Sequence, residues 1–381
     1  RGKGVLKKLV KLPRRFLLTG KRSMHYNRQG FVLFEFMGDP RVGKVLITGG
    51  AGYIGSHVVK RLLERGMEPI VLDNLQTGHR EAIVGGTFIK GDIGDERVLQ
   101  EIFATHGIDS VIHMAADCLV GDSMKNPLKY FNNNINKAVK LVGEMLKYKV
   151  NKMVFSSSAA IYGNPPQIPI KEDSPPFPIN PYGETKLIFE KILESCKVAY
   201  GLQYISLRYF NAAGADPDGL IGEDHHPETH LIPNVLRALL RKGRKVPIYG
   251  TDYDTPDGTC VRDYIHIVDI AEAHILALEA LHTGEGCDIF NLGNGKGFSV
   301  KQIIQTASQV TQRTIPVVES QRRPGDPPIL VASFEKIRRR LGWVPRYGKL
   351  EEIIDTAWRW HRTHPHGFGS SALKKEVLRW T

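Results

Sequence analysis

Three observations predict an α/β fold: a doubly wound parallel sheet followed by a second, smaller α/β domain. Short apolar runs alternate with helix-length segments from Val45 onward. The first run leads into a glycine turn, Val45-Leu-Ile-Thr-Gly-Gly-Ala-Gly-Tyr-Ile-Gly55. The alternation fades after Asn211, where glycine, proline and histidine become frequent. Strands separated by helices form βαβ units, and their parallel sheet is covered on both faces.

Residues 44–48 are an apolar strand ending in glycines. Residues 54–65 carry apolar side chains at helical spacing, and Gly66 is placed to end that helix. The second strand, 69–72, ends at Asp73, and the third, 87–90, at Gly91-Asp92. A helix over 97–105 and a strand over 110–114 follow, then a long helix over 130–148 and a strand over 152–156. Residues 182–200 form a second long helix with Pro181 at its start, and 203–208 the next strand. Helices over 231–241, 268–281 and 300–310 come after, separated by loops. The expected organisation is a basic, disordered extension over 1–40, a dinucleotide-binding domain over 41–210, a smaller domain over 211–366 and a tail over 367–381. A cleft should lie between the two domains at the carboxyl ends of the strands.

At 381 residues the chain can bury one large core or two modest ones. Its net charge of +12 would suggest nucleic acid if it clustered on one face. Instead, residues 1–40 hold ten Lys or Arg against two acids and residues 367–381 three against one, so the body is nearly neutral. Nucleic-acid binding is not expected. The four cysteines, Cys118, Cys196, Cys260 and Cys287, are far apart and form no CxxC pair, which fits reduced thiols in the cytoplasm. No run approaches the roughly 20 apolar residues of a membrane span. Within 1–40, Pro13 interrupts the apolar pattern and the run at 31–36 is short and contains Glu35, unlike a signal peptide. An interfacial or transit-like helix stays open there, beside a disordered extension or residues ahead of a start at Met24 or Met37.

The glycines Gly49, Gly52 and Gly55 each have a task in holding a dinucleotide. The first allows the tight turn, the second lets backbone approach a pyrophosphate, and the third packs helix on sheet, so that the helix N-terminus faces the phosphates. Asp73 ends the next strand, eighteen residues after Gly55. Its carboxylate can accept from both ribose hydroxyls and repels a 2′-phosphate, which favours NAD over NADP. Asp92 is placed to bond an adenine or to cap a helix.

Tyr182-Gly-Glu-Thr-Lys186 sets a phenol and an ammonium four residues apart, on one helix face. A tyrosine with a pKa near 10 is a poor base at neutral pH. A neighbouring ammonium and a positive nicotinamide ring should stabilise its phenolate and lower that pKa. Ser158, just past the 152–156 strand, can share a hydrogen bond with a substrate oxygen. Together these residues suggest movement of a hydride and a proton at one sugar or alcohol carbon.

Residues 49–55, Asp73-Asn74, Ser156-Ser-Ser158, Tyr182 to Lys186, Arg208-Tyr-Phe-Asn211 and Val261-Arg-Asp-Tyr-Ile-His266 resemble the extended short-chain dehydrogenase/reductases. The resemblance covers about 42–362. It implies a Rossmann-like fold and a homodimer paired through the helices at 130–148 and 182–200. It also implies NAD-dependent interconversion of UDP-glucose and UDP-galactose through a 4-keto sugar. It places Tyr53, Ile54, Asn74, Ile93, Ala115, Ala116, Asn134 and Tyr209 at the cofactor. It assigns the UDP-sugar to Asn211, Leu231, Arg262, Tyr264, Arg323 and Asp326, two of them guanidiniums facing a diphosphate. Leu330 falls where the family limits sugar size, so plain hexoses are favoured over N-acetylhexosamines. Cys118 stands where some members carry a lysine beside the cofactor.

A pentose or N-acetylhexosamine 4-epimerase would use the same machinery. A dehydratase needs an extra acid and base for water elimination. The family commonly places them just after Ser158, where this chain has Ala159-Ala160. A catalytically silent NAD-binding regulatory subunit would usually lack the Tyr or the Lys. The histidines His225, His226 and His230, and the later His361, His364 and His366, suggest solvated segments, with no metal site expected, since neither group shows a full set of carboxylates and a frame.

Overall fold

The computed structural model describes residues 22–26, 32–36, 42–241, 243–323 and 326–369. Strands β1 (Arg22–Tyr26) and β2 (Val32–Phe36) pair antiparallel. They lie within the stretch expected to be disordered. The rest of that expectation, and the tail from residue 370 onward, fall outside the described residues.

From Lys44 the chain alternates as its apolar pattern requires. The strands are β3 (Lys44–Thr48), β4 (Glu68–Asp73), β5 (Thr87–Lys90), β6 (Ile108–His113), β7 (Lys152–Ser158) and β8 (Gln203–Tyr209). Between them run α1 (Tyr53–Glu64), α2 (Glu96–His106), α3 (Val120–Lys125), α4 (Pro127–Phe131), α5 (Lys137–Lys147) and α6 (Pro181–Tyr200). The remainder comprises β9 (Asn211–Ala213), α7 (Leu231–Leu240), β10 (Val246–Tyr249), β11 (Val261–His266), α8 (Ile267–Thr283) and β12 (Asp288–Leu292). After these come β13 (Gly297–Ser299), α9 (Val300–Thr311), β14 (Val317–Ser320), β15 (Ile329–Leu330), α10 (Glu335–Leu341) and α11 (Leu350–Thr363).

Seven strands form the central sheet in the order β12-β8-β7-β6-β3-β4-β5, and every pair is parallel. The chain moves outward from β3 to β5, then returns to β6 on the other side of β3. That reversal opens a crevice beyond the carboxyl ends of the strands. Strand residues alternate between two apolar layers. Val45, Ile47, Val71 and Val154 pack with residues of α1 and α8, while Leu46, Ile70, Leu72 and Phe155 pack with residues of α2, α5 and α6. A third core joins α7, α9 and α11 around Val235, Ile303 and Ile353.

Two features differ from the sequence expectation. The helix expected within the smaller domain at 268–281 is α8, which packs against α1, and β12 then joins β8 as the seventh strand. The chain therefore crosses back to the first sheet after 211. Buried residues occur on all sides of α8, including Ile267, Val268, Asp269, Ile270 and Ile275, as a helix between two layers requires. The glycine- and proline-rich stretch marks crossing loops rather than one clean boundary. The helix expected over 130–148 is also interrupted: a π-helical turn, Asn132–Asn136, joins α4 to α5. Such turns often re-aim a side chain near a functional site. Among the described residues, no helix is long and apolar enough to cross a membrane.

Candidate active site

The crevice is a cleft of about 460 Å³, walled by the glycine turn, the ends of β4, β6, β7 and β8, the start of α6, and segments of the second region. Gly49 has φ of +75°, a left-handed conformation that disfavours other residues. A Cβ on Gly55 would lie 2.2 Å from the Gly49 carbonyl oxygen, so the helix can approach the turn only with glycine there. Gly52 is the N-cap of α1 and supplies no side-chain acceptor. Gly49, Gly52, Tyr53, Ile54 and Gly55 all face the cleft, so the amide end of α1 is turned toward whatever fills it.

Asp73 closes the turn from below. Its Oδ2 accepts from the Ala51 amide at 2.9 Å and its Oδ1 from the Leu75 amide at 2.8 Å. Burial raises its pKa despite these two bonds. Asp92 is not the cap of α2; Asp95 is, accepting from the Arg97 amide. Asp92 instead accepts from Lys137 Nζ at 2.7 Å, the Gly94 amide at 2.7 Å and Asn74 Nδ2 at 2.9 Å. Against the cost of partial burial, these bonds lower its pKa. Asp73, Asn74, Asp92, Ile93, Ala115, Ala116 and Tyr209 all line the cleft.

Ser158, Tyr182 and Lys186 converge on the same wall. Asn180 caps α6, with Pro181 in its first turn, which fixes where Tyr182 leaves the helix. Lys186 lies one turn on and donates from Nζ to the Ser156 carbonyl oxygen at 2.8 Å. Its burial lowers its pKa to about 8. Tyr182 differs from expectation, because its pKa is raised well above 10. Burial is the main cause, Tyr209 and Cys118 add to it, and a hydrogen bond with Ser158 opposes it. A desolvated phenolate is costly, and in the protein alone Lys186 does not offset that cost.

On the opposite wall Arg262 donates from Nη2 to Asp326 Oδ1 at 2.7 Å, beside Asn211 and Leu330. Four expected contacts are not among the residues lining the cleft. Asn134 is buried in the π-helical turn. Its Oδ1 accepts from the Asp117 amide at 2.8 Å, and its Nδ2 donates to the Asp117 carbonyl at 3.0 Å and to Thr185 Oγ1 at 3.1 Å. It thus positions a lining loop. Leu231, in the first turn of α7, and Tyr264, on β11, pack in the third core. The Arg323 guanidinium lies 3.9 Å from the centre of the Tyr249 ring, an aromatic cation site on the surface rather than a second guanidinium beside Arg262.

The histidine segment needs the larger correction. His225 and His230 line the cleft together with Glu223, and the Glu223 and Glu228 side chains are only 4% and 2% exposed. The segment is therefore a wall on its Glu223, His225 and Glu228 side, while His226 and much of His230 remain exposed; of the later histidines, His361 and His364 are buried and His366 is exposed. Its carboxylates, Glu223 two residues before His225 and Glu228 two residues before His230, were the one signal in the sequence that could have shown this.

The NAD dependent epimerase/dehydratase family model matches residues 45–293. The chain belongs to that family. A UDP-glucose 4-epimerase from Halalkalibacterium halodurans is 55% identical over 332 residues, covering 87% of this chain and 99% of that one. The crystal structure of UDP-glucose 4-epimerase from Brucella ovis in complex with NAD superposes with a TM-score of 0.81 at 46% identity, covering 83% of this chain and 98% of that one. The Bifidobacterium longum UDP-glucose 4-epimerase in complex with NAD+ and UDP gives 0.81 at 37% identity, covering 85% and 100%. In this member of the family, the Tyr-Lys pair and the glycine turn share one cleft.

Proposed function

We propose that the chain interconverts UDP-glucose and UDP-galactose by reversible oxidation at sugar C4. The observation that carries this reading is the buried Tyr182, which shares the cleft with Ser158, Lys186, the glycine turn and the Arg262–Asp326 pair. Relatives at 55% and 52% identity, covering 87% and 85% of this chain, are UDP-glucose 4-epimerases. The residues present fit NAD: the Gly49 to Gly55 turn leaves backbone exposed where a pyrophosphate would rest, and Asp73 presents a carboxylate suited to two ribose hydroxyls. When bound, NAD supplies the hydride acceptor and donor.

The chain's own residues then divide the work. Ser158 and the Tyr182 hydroxyl hold the C4 oxygen, and Tyr182 takes or returns its proton. Lys186, fixed by the Ser156 carbonyl, supplies positive charge near the phenol; its Nζ lies 5.8 Å from the centre of the Tyr182 ring. Arg262 holds the diphosphate, with Asp326 setting the plane of its guanidinium. Asn211 and Leu330 border the sugar. Firm retention of the nucleotide leaves the hexose free to present either face to the cofactor.

We further propose a homodimer paired through α5 and α6, supported by the exposed apolar side chains of Val139 and Val198 on those helices. A cytoplasmic location is supported by the four unpaired cysteines.

Purified protein incubated with UDP-galactose, without added NAD, is expected to form UDP-glucose. No product even after NAD is supplied would exclude this hexose reaction and move the assignment to a pentose or N-acetylated substrate.

A further inference from the structure

We propose that Glu223, His225, Glu228 and His230 form a closed binding site for a divalent first-row transition metal, zinc before others, in the wall of the cleft. One ligand atom from each of the four side chains can be chosen so that all lie within 4.8 Å of one another. Glu223 Oε1 is 3.2 Å from His225 Nδ1 and 2.6 Å from His230 Nδ1. Glu228 Oε2 is 3.9 Å from His225 Nδ1, and its Oε1 is 3.5 Å from His230 Nδ1. Nitrogen and oxygen ligands about 2.0–2.1 Å from a tetrahedral zinc stand roughly 3.4 Å apart. The four side chains already approach that spacing and need no rearrangement of the backbone.

A second observation points the same way. Glu223 Oε1, His225 Nδ1 and Glu228 Oε2 are buried and have no hydrogen-bond partner. The carboxylates and imidazoles approach one another at ion-pair distance, but these approaches lack hydrogen-bond geometry, which is costly in the interior. Convergence of unpaired lone-pair atoms on a common centre is what a cation requires. The charges also balance: two carboxylates offset a divalent ion, and two neutral imidazoles complete the shell. Arg237, a neighbouring guanidinium, donates to Asp224 at 3.1 Å and stands farther, 3.7 Å, from Glu228 Oε2.

The frame is rigid where it matters. His230 is the N-cap residue of α7, and its amide donates to Glu228 Oε1 at 3.0 Å. Asn234 Nδ2 donates to the carbonyls of Glu228 and His230. The His225 ring meets Tyr53 edge-on at 6.1 Å, which ties the cluster to the first turn of α1. Imidazole with carboxylate suits zinc and its neighbours in the first transition row, and not calcium or magnesium. With four protein ligands no coordination position is left for substrate, so the ion would act as a clip joining the 223–230 loop to α7. The proposal does not depend on the sugar reading.

The test uses the full chain without substrate. After loading with zinc and dialysis, metal analysis is expected to give about one zinc per chain. Cobalt in its place should show the intense visible bands of a four-coordinate site. Zinc, but not magnesium, should raise the melting temperature by at least about 2–4 °C. His225→Ala and Glu223→Gln should each lose the bound metal and the cobalt bands. If Glu223→Gln does not fold, His225→Ala, at a side chain less buried than either carboxylate, decides alone. Zinc retained by His225→Ala would assign the ion to other histidines and overturn the proposal. So would less than about a tenth of an equivalent in the parent protein with no melting shift. The four side chains would then be an ion-paired network without a metal.

Discussion

Lys186 Nζ and the Ser156 carbonyl oxygen are joined by a 2.8 Å hydrogen bond that ties the first turns of α6 to the end of β7. This bond fixes the ammonium in the crevice, and burial there lowers its pKa to about 8. The ammonium is therefore present below pH 8 and lost as the pH rises through it. The kcat/KM profile should show an alkaline limb near pH 8. Tyr182→Phe should lower kcat by about 10²–10⁴-fold with the fold and NAD binding retained. Circular dichroism and cofactor titration would separate a chemical loss from a structural one.

Asp73 holds the turn through Ala51 and Leu75 and is the carboxylate proposed to receive the cofactor's ribose. Asp73→Asn keeps an acceptor oxygen but removes the charge, and its amide cannot accept from both Ala51 and Leu75. The affinity for NAD should fall by about 10–100-fold, as expected for a lost charged hydrogen bond. Discrimination against NADP should also narrow. Fluorescence titration with both cofactors reads the two effects.

Leu330, on β15 beside Arg262, borders the part of the cleft assigned to the sugar. Leu330→Tyr should reduce turnover of UDP-N-acetylgalactosamine while sparing UDP-galactose. Leu330→Ser should raise the ratio of N-acetylated to plain substrate by about tenfold, the worth of roughly one steric contact in a pocket. Equal effects on both substrates would place the sugar elsewhere.

Acid should destabilise the chain through its buried histidines. Burial lowers the pKa of His113 and His266 to about 3 and of His274 to about 4. The unfolded chain takes up these protons near pH 6.5, and the folded chain only near 3–4. The stability they contribute is therefore complete above about 6.5 and is lost as the pH falls below it. Each contributes at most about 1.4 kcal/mol per pH unit in that window. The melting temperature should fall steadily from pH 6.5 to 4, and His113→Gln should make that slope shallower.

The fold was legible wherever the signal was local. The strand at 44–48, the turn through Gly49, Gly52 and Gly55, and the Asp73 terminus depend on short-range backbone conformation and a two-residue period. The Tyr182–Lys186 pair depends on one helical turn. Contacts built across long separations were harder to read. Asn134 lies where a cofactor ligand was expected, but a π-helical turn aims it at Asp117 and Thr185. Arg323 has the right charge, but stacks on Tyr249 instead of turning into the cleft.

By itself, then, the sequence determined the parallel sheet, the crevice end where a dinucleotide binds, and the phenol–ammonium pair. Each arises from residues near one another in the chain, whose geometry leaves few alternatives. Only the tertiary structure decided the return of α8 and β12 to the first sheet, the burial that raises Tyr182 and lowers Lys186, and the burial of the Glu223 and Glu228 side chains. Those follow from which surfaces close on each other. Desolvation and convergence arise only when distant segments pack, and no spacing along the chain encodes them.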